Sequence, residues 1–123
     1  MAQHIMVIDD SSTFLDEIED VLSQAGYATT TDIHMGTTVT KQQPKLPDLL
    51  IINTRWNEEA RGLELVQELQ LDPVTTALPI ILCLSPKPDL LSLEDHLMAH
   101  QVRLLPKPFT SAELLTAIHQ ILM

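Results

Sequence analysis

The chain has 123 residues, of which 45% are hydrophobic, and its formal net charge at pH 7 is −10. A chain of this length builds one domain around a single core, and we expect that domain to span residues 1–123. The negative charge argues against direct binding of DNA or RNA, whose phosphates would be repelled. Neither a membrane-spanning run nor a signal peptide is evident, so we expect a cytoplasmic protein with no membrane association.

The N-terminal part of the chain predicts a strand, a helix and a second strand. Residues 4–8 form a short apolar run typical of a buried strand. Apolar side chains then recur at helical spacing over 14–25, and Gly26 ends that helix. Residues 27–31 are β-prone and predict the second strand. The following residues, 32–46, include poor helix formers and favour at most a short or irregular helix.

The central part repeats this alternation. Four consecutive aliphatic residues, 49–52, predict a third strand that is buried on both faces. A polar loop follows over 54–61, and Gly62 precedes an amphipathic helix. Residues 80–84 predict a fourth buried strand. This strand contains Cys83, the only cysteine, which we interpret as a small buried hydrophobic residue.

The C-terminal part predicts a short helix over 90–100, a fifth strand over 102–105 and a final helix. Thr110 and Glu113 have the spacing of a capping box at the start of that last helix. Strands and helices therefore alternate five times, which predicts a doubly wound α/β sandwich, (βα)5, with a five-stranded parallel sheet. In such a sheet the carboxyl ends of all strands share one edge, where α/β proteins bind their ligands.

Polar residues follow several of these strands and should converge at that edge. They are Asp9, Asp10, Asn53, Ser85 and Lys107. Two adjacent carboxylates form a hard-oxygen site suited to Mg²⁺. In the alternative interpretation, Asp9 and Asp10 only cap the helix that follows them. Lys107 precedes a proline, so the bond between them is a candidate for cis geometry.

Five short motifs, in this order and spacing, resemble the receiver domain of two-component response regulators, which has a flavodoxin-like fold. The motifs are Val7-Ile8-Asp9-Asp10, Pro47-Asp48-Leu49-Leu50-Ile51-Ile52, Gly62-Leu63-Glu64-Leu65, Pro79-Ile80-Ile81 and Lys107-Pro108-Phe109. The resemblance implies that the acid pair binds Mg²⁺ and that the third strand ends in a phospho-accepting aspartate. It further implies that the fourth strand ends in threonine or serine and that the lysine contacts the phosphoryl group.

The chain departs from what the resemblance implies at three positions together. The phospho-acceptor position is occupied by Asn53, whose neutral amide is not a competent nucleophile. The hydroxyl switch position is Leu84, with Ser85 one place later, and Leu104 stands where an aromatic residue is usual. We therefore interpret the chain as a divergent pseudo-receiver that is not phosphorylated at this position.

Asp9, Asp10 and Lys107 then form a degenerate active site. We expect it to require no cofactor and to bind Mg²⁺ weakly through the two aspartates, because the site holds one negative charge fewer. A further hypothesis is that Asn53 lets the carboxylates and the lysine coexist without metal, in one permanent conformation. The other carboxylate on the same strand, Asp48, lies at the opposite end, roughly 16 Å away.

The leading functional hypothesis is a stand-alone, non-enzymatic signalling domain that acts through protein contacts. A histidine kinase, a phosphotransfer protein or another regulator is the partner that the resemblance implies. Residues 102–123 resemble the surface that receiver domains use for homodimers or output contacts. One alternative is a receiver that is phosphorylated at a non-standard acceptor. Another is a small flavodoxin-like cofactor-binding protein, but residues 9–13 place two carboxylates where a glycine-rich phosphate loop would be needed.

Two smaller signals carry less weight. His96 and His100 are spaced four residues apart, as metal ligands on one helix face would be, but no third ligand is near them in sequence and we interpret them as ordinary surface histidines. Trp56, the only tryptophan, follows Asn53 closely, and its side chain either folds over the edge of the site or anchors a partner.

Overall fold

Five parallel strands form the centre of the molecule in the computed structural model, which describes residues 3–9, 12–32, 47–53, 59–73, 75–84 and 102–122. The strands are β1 (His4–Ile8), β2 (Ala28–Asp32), β3 (Leu49–Asn53), β4 (Ile80–Leu84) and β5 (Val102–Pro106). They lie in the order β2-β1-β3-β4-β5. This is the flavodoxin-like order of a doubly wound sheet, and it confirms the predicted fold class.

The apolar runs, and for β2 the β-prone residues, located these strands closely. β1 and β4 have the predicted bounds, while β3 and β5 each extend one residue further and β2 begins at Ala28. All five residues of β3 are buried, as expected of a strand covered on both faces. Ile51 pairs with Val7 of β1 and with Ile81 of β4, so the strand that ends in Asn53 is central to the sheet.

Three helices are described: α1 (Ser12–Gln24), α2 (Glu59–Leu71) and α3 (Ser111–Leu122). Gly26 follows α1 with a φ angle of 94°, a left-handed conformation that glycine adopts without steric cost, which confirms it as the end of that helix. None of these helices combines the length and the apolarity that crossing a bilayer demands, within the part of the chain that the structure describes.

The predicted start of α2 was wrong. The helix begins at Glu59, so Gly62 lies inside it instead of preceding it, and residues 59–61, predicted as part of a polar loop over 54–61, belong to the helix. A glycine inside a helix costs about 1 kcal/mol relative to alanine. Glu59, Ala60 and Arg61 are strong helix formers, and the helix includes them despite the glycine that follows. The helices expected within 32–46 and 90–100 lie outside the described residues.

The core has two halves, one on each face of the sheet. α1 and α3 cover one face, which we call the α1/α3 face, where Leu15, Leu22 and Leu114 pack on side chains of alternate strand positions. α2 covers the other, the α2 face, with Leu65 and Val66. Because side chains alternate along a strand, β1, β3, β4 and β5 each contribute to both halves, and the face of a strand residue follows from its position.

The start of α3 carries the predicted capping box. The backbone N–H of Glu113 donates to Thr110 Oγ1 at 3.1 Å, and the backbone N–H of Thr110 donates to Glu113 Oε1 at 3.2 Å. Both groups would otherwise lack a partner at a helix N-terminus. This confirms the motif and fixes the direction in which the chain leaves β5.

At the amino end of the sheet, β1 and β3 are joined through Asp48. The backbone N–H of His4 donates to Asp48 Oδ2 at 2.7 Å, and the backbone N–H of Asp48 donates to the His4 carbonyl at 2.7 Å. The His4 ring is 2.6 Å from Thr30 Oγ1 on β2. The carboxylate of Asp48 is therefore used to connect strands.

Candidate functional site

The carboxyl end of the sheet brings together polar residues from four strands. Asp9 follows β1, Asn53 ends β3, Cys83 lies in β4 and Lys107 follows β5. Asn53 and Cys83 are register partners. Each of the four lies two positions after a residue of the α1/α3 half of the core, namely Val7, Ile51, Ile81 and Leu105. Strand alternation therefore assigns all four to the same face of the sheet.

A hydrogen bond joins two of the predicted site residues. The Asn53 side-chain nitrogen, Nδ2, donates to Asp9 Oδ2 at 3.1 Å. Both side chains are buried, with exposed fractions of 1% for Asp9 and 7% for Asn53. A buried carboxylate needs hydrogen-bond donors, and an amide supplies one where a second carboxylate would supply none.

This contact also fixes the orientation of the Asn53 amide. Turning the amide over would place its oxygen, Oδ1, against an oxygen of Asp9, and two acceptors would then face each other. In the favoured orientation Oδ1 points away from Asp9. Oδ1 is buried, and no residue in the described ranges donates a hydrogen bond to it.

Cys83 lies within this group of residues, which the sequence did not reveal. Burial raises the pKa of the Cys83 thiol to about 12, from an ordinary value of 9.0. Lys107 lowers that pKa and Asp9 raises it, both by smaller amounts than burial, so both charges act on the same sulfur. The thiol is therefore neutral at physiological pH and a poor nucleophile. The prediction of a small buried residue is confirmed.

An open depression of about 490 Å³ lies beside these residues. We call it the aromatic depression, and it is lined by Phe14, Asn53, Lys107, Pro108 and Phe109. The peptide bond between Lys107 and Pro108 is cis, the geometry for which the sequence made it a candidate. Phe14 belonged only to the core pattern of α1 in the sequence; its lining role follows from α1 and the start of α3 lying side by side.

Two other residues singled out in the sequence, Leu84 and Leu104, lie within the described ranges. Leu104 is half-buried against the α2 half of the core, on the face opposite to Asn53. Leu84 ends β4, and its backbone is in register with Pro106. Asp10 and Ser85 lie outside the described residues, as do Trp56, His96 and His100.

The described donor set fits Mg²⁺ only in part. The Asp9 carboxylate and the Asn53 amide oxygen are of the hard-oxygen kind that Mg²⁺ prefers. Asn53, however, turns its nitrogen toward Asp9, and nitrogen of an amide is a donor and not a ligand. Within the described ranges, no group of three or more His, Cys, Asp or Glu side chains is placed to hold a metal ion.

Comparison with known proteins gives a consistent result. The family model of the response regulator receiver domain matches residues 5–119. The chemotaxis protein CheY1 of Helicobacter pylori is 32% identical over 79 residues, which cover 63% of this chain. That alignment spans 64% of the length of the curated relative.

Solved structures extend the similarity across the whole fold. The chemotaxis response regulator CheY4 of Vibrio cholerae has a TM-score of 0.79 at 21% identity, covering 98% of this chain and 99% of that one. A response regulator receiver domain protein of Clostridium thermocellum has a TM-score of 0.78 at 24% identity, covering 98% and 94%. At these identities the two structures establish the architecture alone.

Proposed function

The chain belongs to the response regulator receiver domains of two-component signalling, and we propose that it signals through protein contacts without being phosphorylated at the end of β3. The observation that carries this proposal is the side chain of Asn53. It stands at the carboxyl end of the central strand, where the family resemblance places the phospho-accepting aspartate, and it donates a hydrogen bond to Asp9. The domain is then a non-enzymatic module, and a protein partner recognises its surface.

The chemistry of an amide supports the absence of phosphoryl transfer. An aspartate attacks phosphorus through an anionic oxygen, whereas the amide oxygen is neutral and its electron pair is delocalised. The amide nitrogen is no substitute, because its electron pair belongs to the same delocalised system. Cys83, the register partner of Asn53, is held as a neutral thiol by its burial. Neither Asn53 nor Cys83 therefore presents an anionic oxygen or a thiolate that could attack phosphorus.

Asp48 is a poor substitute acceptor. It lies five residues before Asn53, at the amino end of β3, and its Oδ2 accepts a hydrogen bond from the His4 backbone. Phosphorylation of Asp48 would remove the carboxylate charge from that contact and would also take place far from Lys107. This argues against a receiver with a non-standard acceptor on β3.

We further propose that Mg²⁺ binds weakly, if added at millimolar concentration, and that no cofactor is needed. Asp9, with Asp10 next to it in sequence, would hold the ion, and the ion would neutralise their charge. The hydrogen bond from Asn53 already satisfies one Asp9 oxygen, so the gain on binding is smaller than in a site with an additional carboxylate. A thermal melt that is unchanged by millimolar Mg²⁺ would support weak binding, and a large upward shift would contradict it.

The proposed partners are proteins of the same signalling system: a histidine kinase, a phosphotransfer protein or another regulator. A homodimer through β5 and α3 is compatible with the half-buried apolar side chains there, among them Leu104 and Leu115. We place these interactions in the cytoplasm, where two-component partners would meet the domain.

Acetyl phosphate with Mg²⁺ gives the direct test, read by intact-protein mass spectrometry. We expect no phosphoryl adduct on the wild-type chain, so its intact mass should not change over the course of the incubation. The matched variant is Asn53→Asp, which restores a carboxylate at one position and should accept a phosphoryl group. A clean adduct on the wild-type chain would refute the proposal, and mapping its position would then identify the true acceptor.

Affinity capture of the wild-type chain beside Asn53→Asp tests the second half of the proposal. If the domain signals without modification, the wild-type chain retains defined protein partners in the absence of any phosphoryl donor. If only the phosphorylated variant retains them, the contacts depend on phosphorylation and the proposed mode of signalling is wrong.

A further inference from the structure

The two edges of the sheet differ in how well they are protected against pairing with another strand. β5 forms one edge and contains Arg103 and Pro106. β2 forms the other edge; it has no lysine, arginine or proline, and its only charged residue, Asp32, is its last. Charged side chains and prolines are what natural proteins place on an edge strand to prevent pairing, whereas threonine favours strands. The β2 edge is therefore the less protected of the two.

The backbone of β2 alternates between residues that face β1 and residues that face outward. The backbone N–H of Ala28 donates to the Gln3 carbonyl at 2.9 Å, so Ala28 faces β1. Because parallel pairing uses alternate residues of a strand, Thr30 also faces β1. Thr29 and Thr31 then direct their N–H and C=O groups away from the sheet. No strand among the described residues pairs with this edge, which offers two donors and two acceptors.

We propose that β2 pairs with β2 of a second copy of this chain, antiparallel and about a two-fold axis at Thr30. In this register Thr29 lies opposite Thr31 of the second copy, and each such pair exchanges both of its N–H···O=C hydrogen bonds. All the outward groups of both residues are then used. A register moved toward the start of β2 would need the N–H of Tyr27, which already donates to the Leu22 carbonyl at 3.0 Å.

The side chains along this register are compatible with the contact. Thr30 lies on the α2 face of the sheet, and Thr29 and Thr31 lie on the α1/α3 face. Threonine would therefore face threonine across the junction on both faces, and such cross-strand pairs stabilise antiparallel sheets. Asp32 would lie opposite Ala28 of the second copy, so the Asp32 residues of the two copies are not opposite each other.

The inference goes beyond the proposed function and does not depend on it. The pairing would join two sheets into one continuous sheet, at the edge opposite to β5 and α3. It is therefore separate from a homodimer through those elements. The net charge of −10 on each copy opposes association, so we expect a weak dimer whose population rises with protein and salt concentration.

Hydrogen exchange of the β2 backbone amides gives the direct test, followed by NMR at micromolar and at millimolar protein concentration. We expect the amides of Thr29 and Thr31 to exchange about fivefold more slowly at the higher concentration, because they gain acceptors in the dimer. The amides of Ala28 and Thr30 should be protected equally at both concentrations, since they already face β1. Exchange at Thr29 and Thr31 that does not depend on concentration would overturn the inference.

Two variants at Thr30 test the register, because Thr30 of one copy lies opposite Thr30 of the other. In Thr30→Lys and in Thr30→Glu like charges would face each other, and each variant alone should be monomeric by sedimentation velocity. An equimolar mixture places opposite charges across the junction and should restore the dimer. Both variants lose the contact of the Thr30 hydroxyl with the His4 ring, so the mixture controls for that loss. A mixture as monomeric as its components would contradict this register.

A second pair of variants tests the backbone contact. Thr31→Pro removes one outward N–H and leaves the ladder to β1 intact, since an edge strand tolerates proline where its N–H faces solvent. Thr31→Val keeps the N–H and is the matched control. We expect the proline variant to lower the association constant about tenfold and the valine variant to change it less than about twofold.

Equal association of the two Thr31 variants, as a dimer through β5 and α3 would give, would overturn the inference. These outcomes are distinguishable from a failure of the proposed function. A phosphoryl adduct on the wild-type chain would refute that function and leave the β2 pairing in place, whereas a monomer at every concentration would refute the pairing alone.

Discussion

The two ends of β3 carry similar side chains in opposite situations. At the amino end, Asp48 accepts from the backbone of His4 and returns a backbone hydrogen bond to it. At the carboxyl end, Asn53 donates to the buried Asp9 and keeps its own oxygen without a donor among the described residues. The amino end uses a carboxylate to hold strands together, and the carboxyl end uses an amide where the family resemblance places a reactive carboxylate.

The difference shows that the role of a polar side chain depends on its position in the sheet as well as on its residue type. The carboxyl ends of parallel strands form the crevice where α/β proteins bind ligands, so a group there is surrounded by other functional groups. The amino ends lack such a crevice, and Asp48 acts there as a connector. Substitutions of Asp48 and of Asn53, made one at a time, should therefore have different effects on the free energy of unfolding.

The largest effect is expected from Asn53→Asp in the absence of Mg²⁺. The change places a second carboxylate at hydrogen-bond distance from Asp9 in a buried site, and it removes the donor that Asp9 now uses. We expect a loss of about 3 kcal/mol in the free energy of unfolding at pH 7, measured by urea denaturation.

Two conditions should restore that stability. Millimolar Mg²⁺ would neutralise the pair, and acidification would protonate one member of it. Like-charge repulsion raises the folded-state pKa of the pair, so the penalty is present above that pKa and is relieved as pH falls through it. A variant as stable as wild type at pH 7 without Mg²⁺ would show that the carboxyl end is solvated and tolerates both charges.

Asp48→Ala removes the corresponding contact at the amino end. The His4 backbone N–H loses a charge-assisted acceptor at 2.7 Å, and because this position is exposed, water replaces part of the contact. We expect a loss of about 1.5 kcal/mol by urea denaturation, independent of Mg²⁺. Asp48→Asn keeps an acceptor oxygen and serves as the control, with a smaller loss. Mg²⁺ dependence in either variant would contradict the assignment of Asp48 as a connector.

The pKa of the Cys83 thiol indicates whether water reaches the carboxyl end of the sheet. Burial raises its pKa to about 12 in the folded chain, against 9.0 when unfolded. The thiol therefore contributes stability that is complete below pH 9 and is lost as pH rises toward 12, because the unfolded chain ionises first. The loss should reach about 1.4 kcal/mol at pH 10.

The matched control is Cys83→Ala, which has no thiol to ionise. The difference in unfolding free energy between the two chains should stay constant from pH 7 to 8.5 and then change in favour of the variant. If this difference in unfolding free energy stayed constant up to pH 10.5, the Cys83 thiol would ionise in the folded chain as readily as in the unfolded one. Water would then reach Cys83.

Thr110→Ala should have the smallest effect. It removes the Oγ1 acceptor of the capping box at the start of α3, next to the aromatic depression. We expect a loss of about 1 kcal/mol, since the other half of the box, the bond from the Thr110 backbone to Glu113, remains. Ser111→Ala, one residue later and outside the box, is the control and should change stability by less than half as much. Equal losses would show that the box does not stabilise α3.

Most of the fold follows from the sequence because four of the five strands are short, mainly apolar runs, and the remaining strand, β2, is rich in β-prone threonine. β1 and β4 have the predicted bounds, and the capping box located α3. The start of α2 did not follow, because a single glycine suggested a boundary that the helix formers before it override. Local helix propensity predicts that a helix is present more reliably than it predicts the residue at which the helix begins.

The placement of three site residues could be predicted, but the contacts between them could not. Sheet topology placed Asp9, Asn53 and Lys107 at one edge from the alternation of elements alone. The direction in which the Asn53 amide turns depends on a partner 44 residues away in the chain, which no local pattern encodes. Phe14 was likewise recognised only as a core residue, since its exposure depends on how α1 meets the start of α3.

The hydrogen bond between Asn53 and Asp9 has a consequence for how information could be carried. On the proposed function, this contact forms when the chain folds and lasts until the chain unfolds, because Asn53 accepts no phosphoryl group that a kinase or phosphatase could add or remove. On the proposed function, the signal is then the number of folded copies, which synthesis and degradation determine. A loss of about 1–2 kcal/mol in folding stability can change protein abundance several-fold in cells. For this domain, the free energy of folding would then set the strength of the signal.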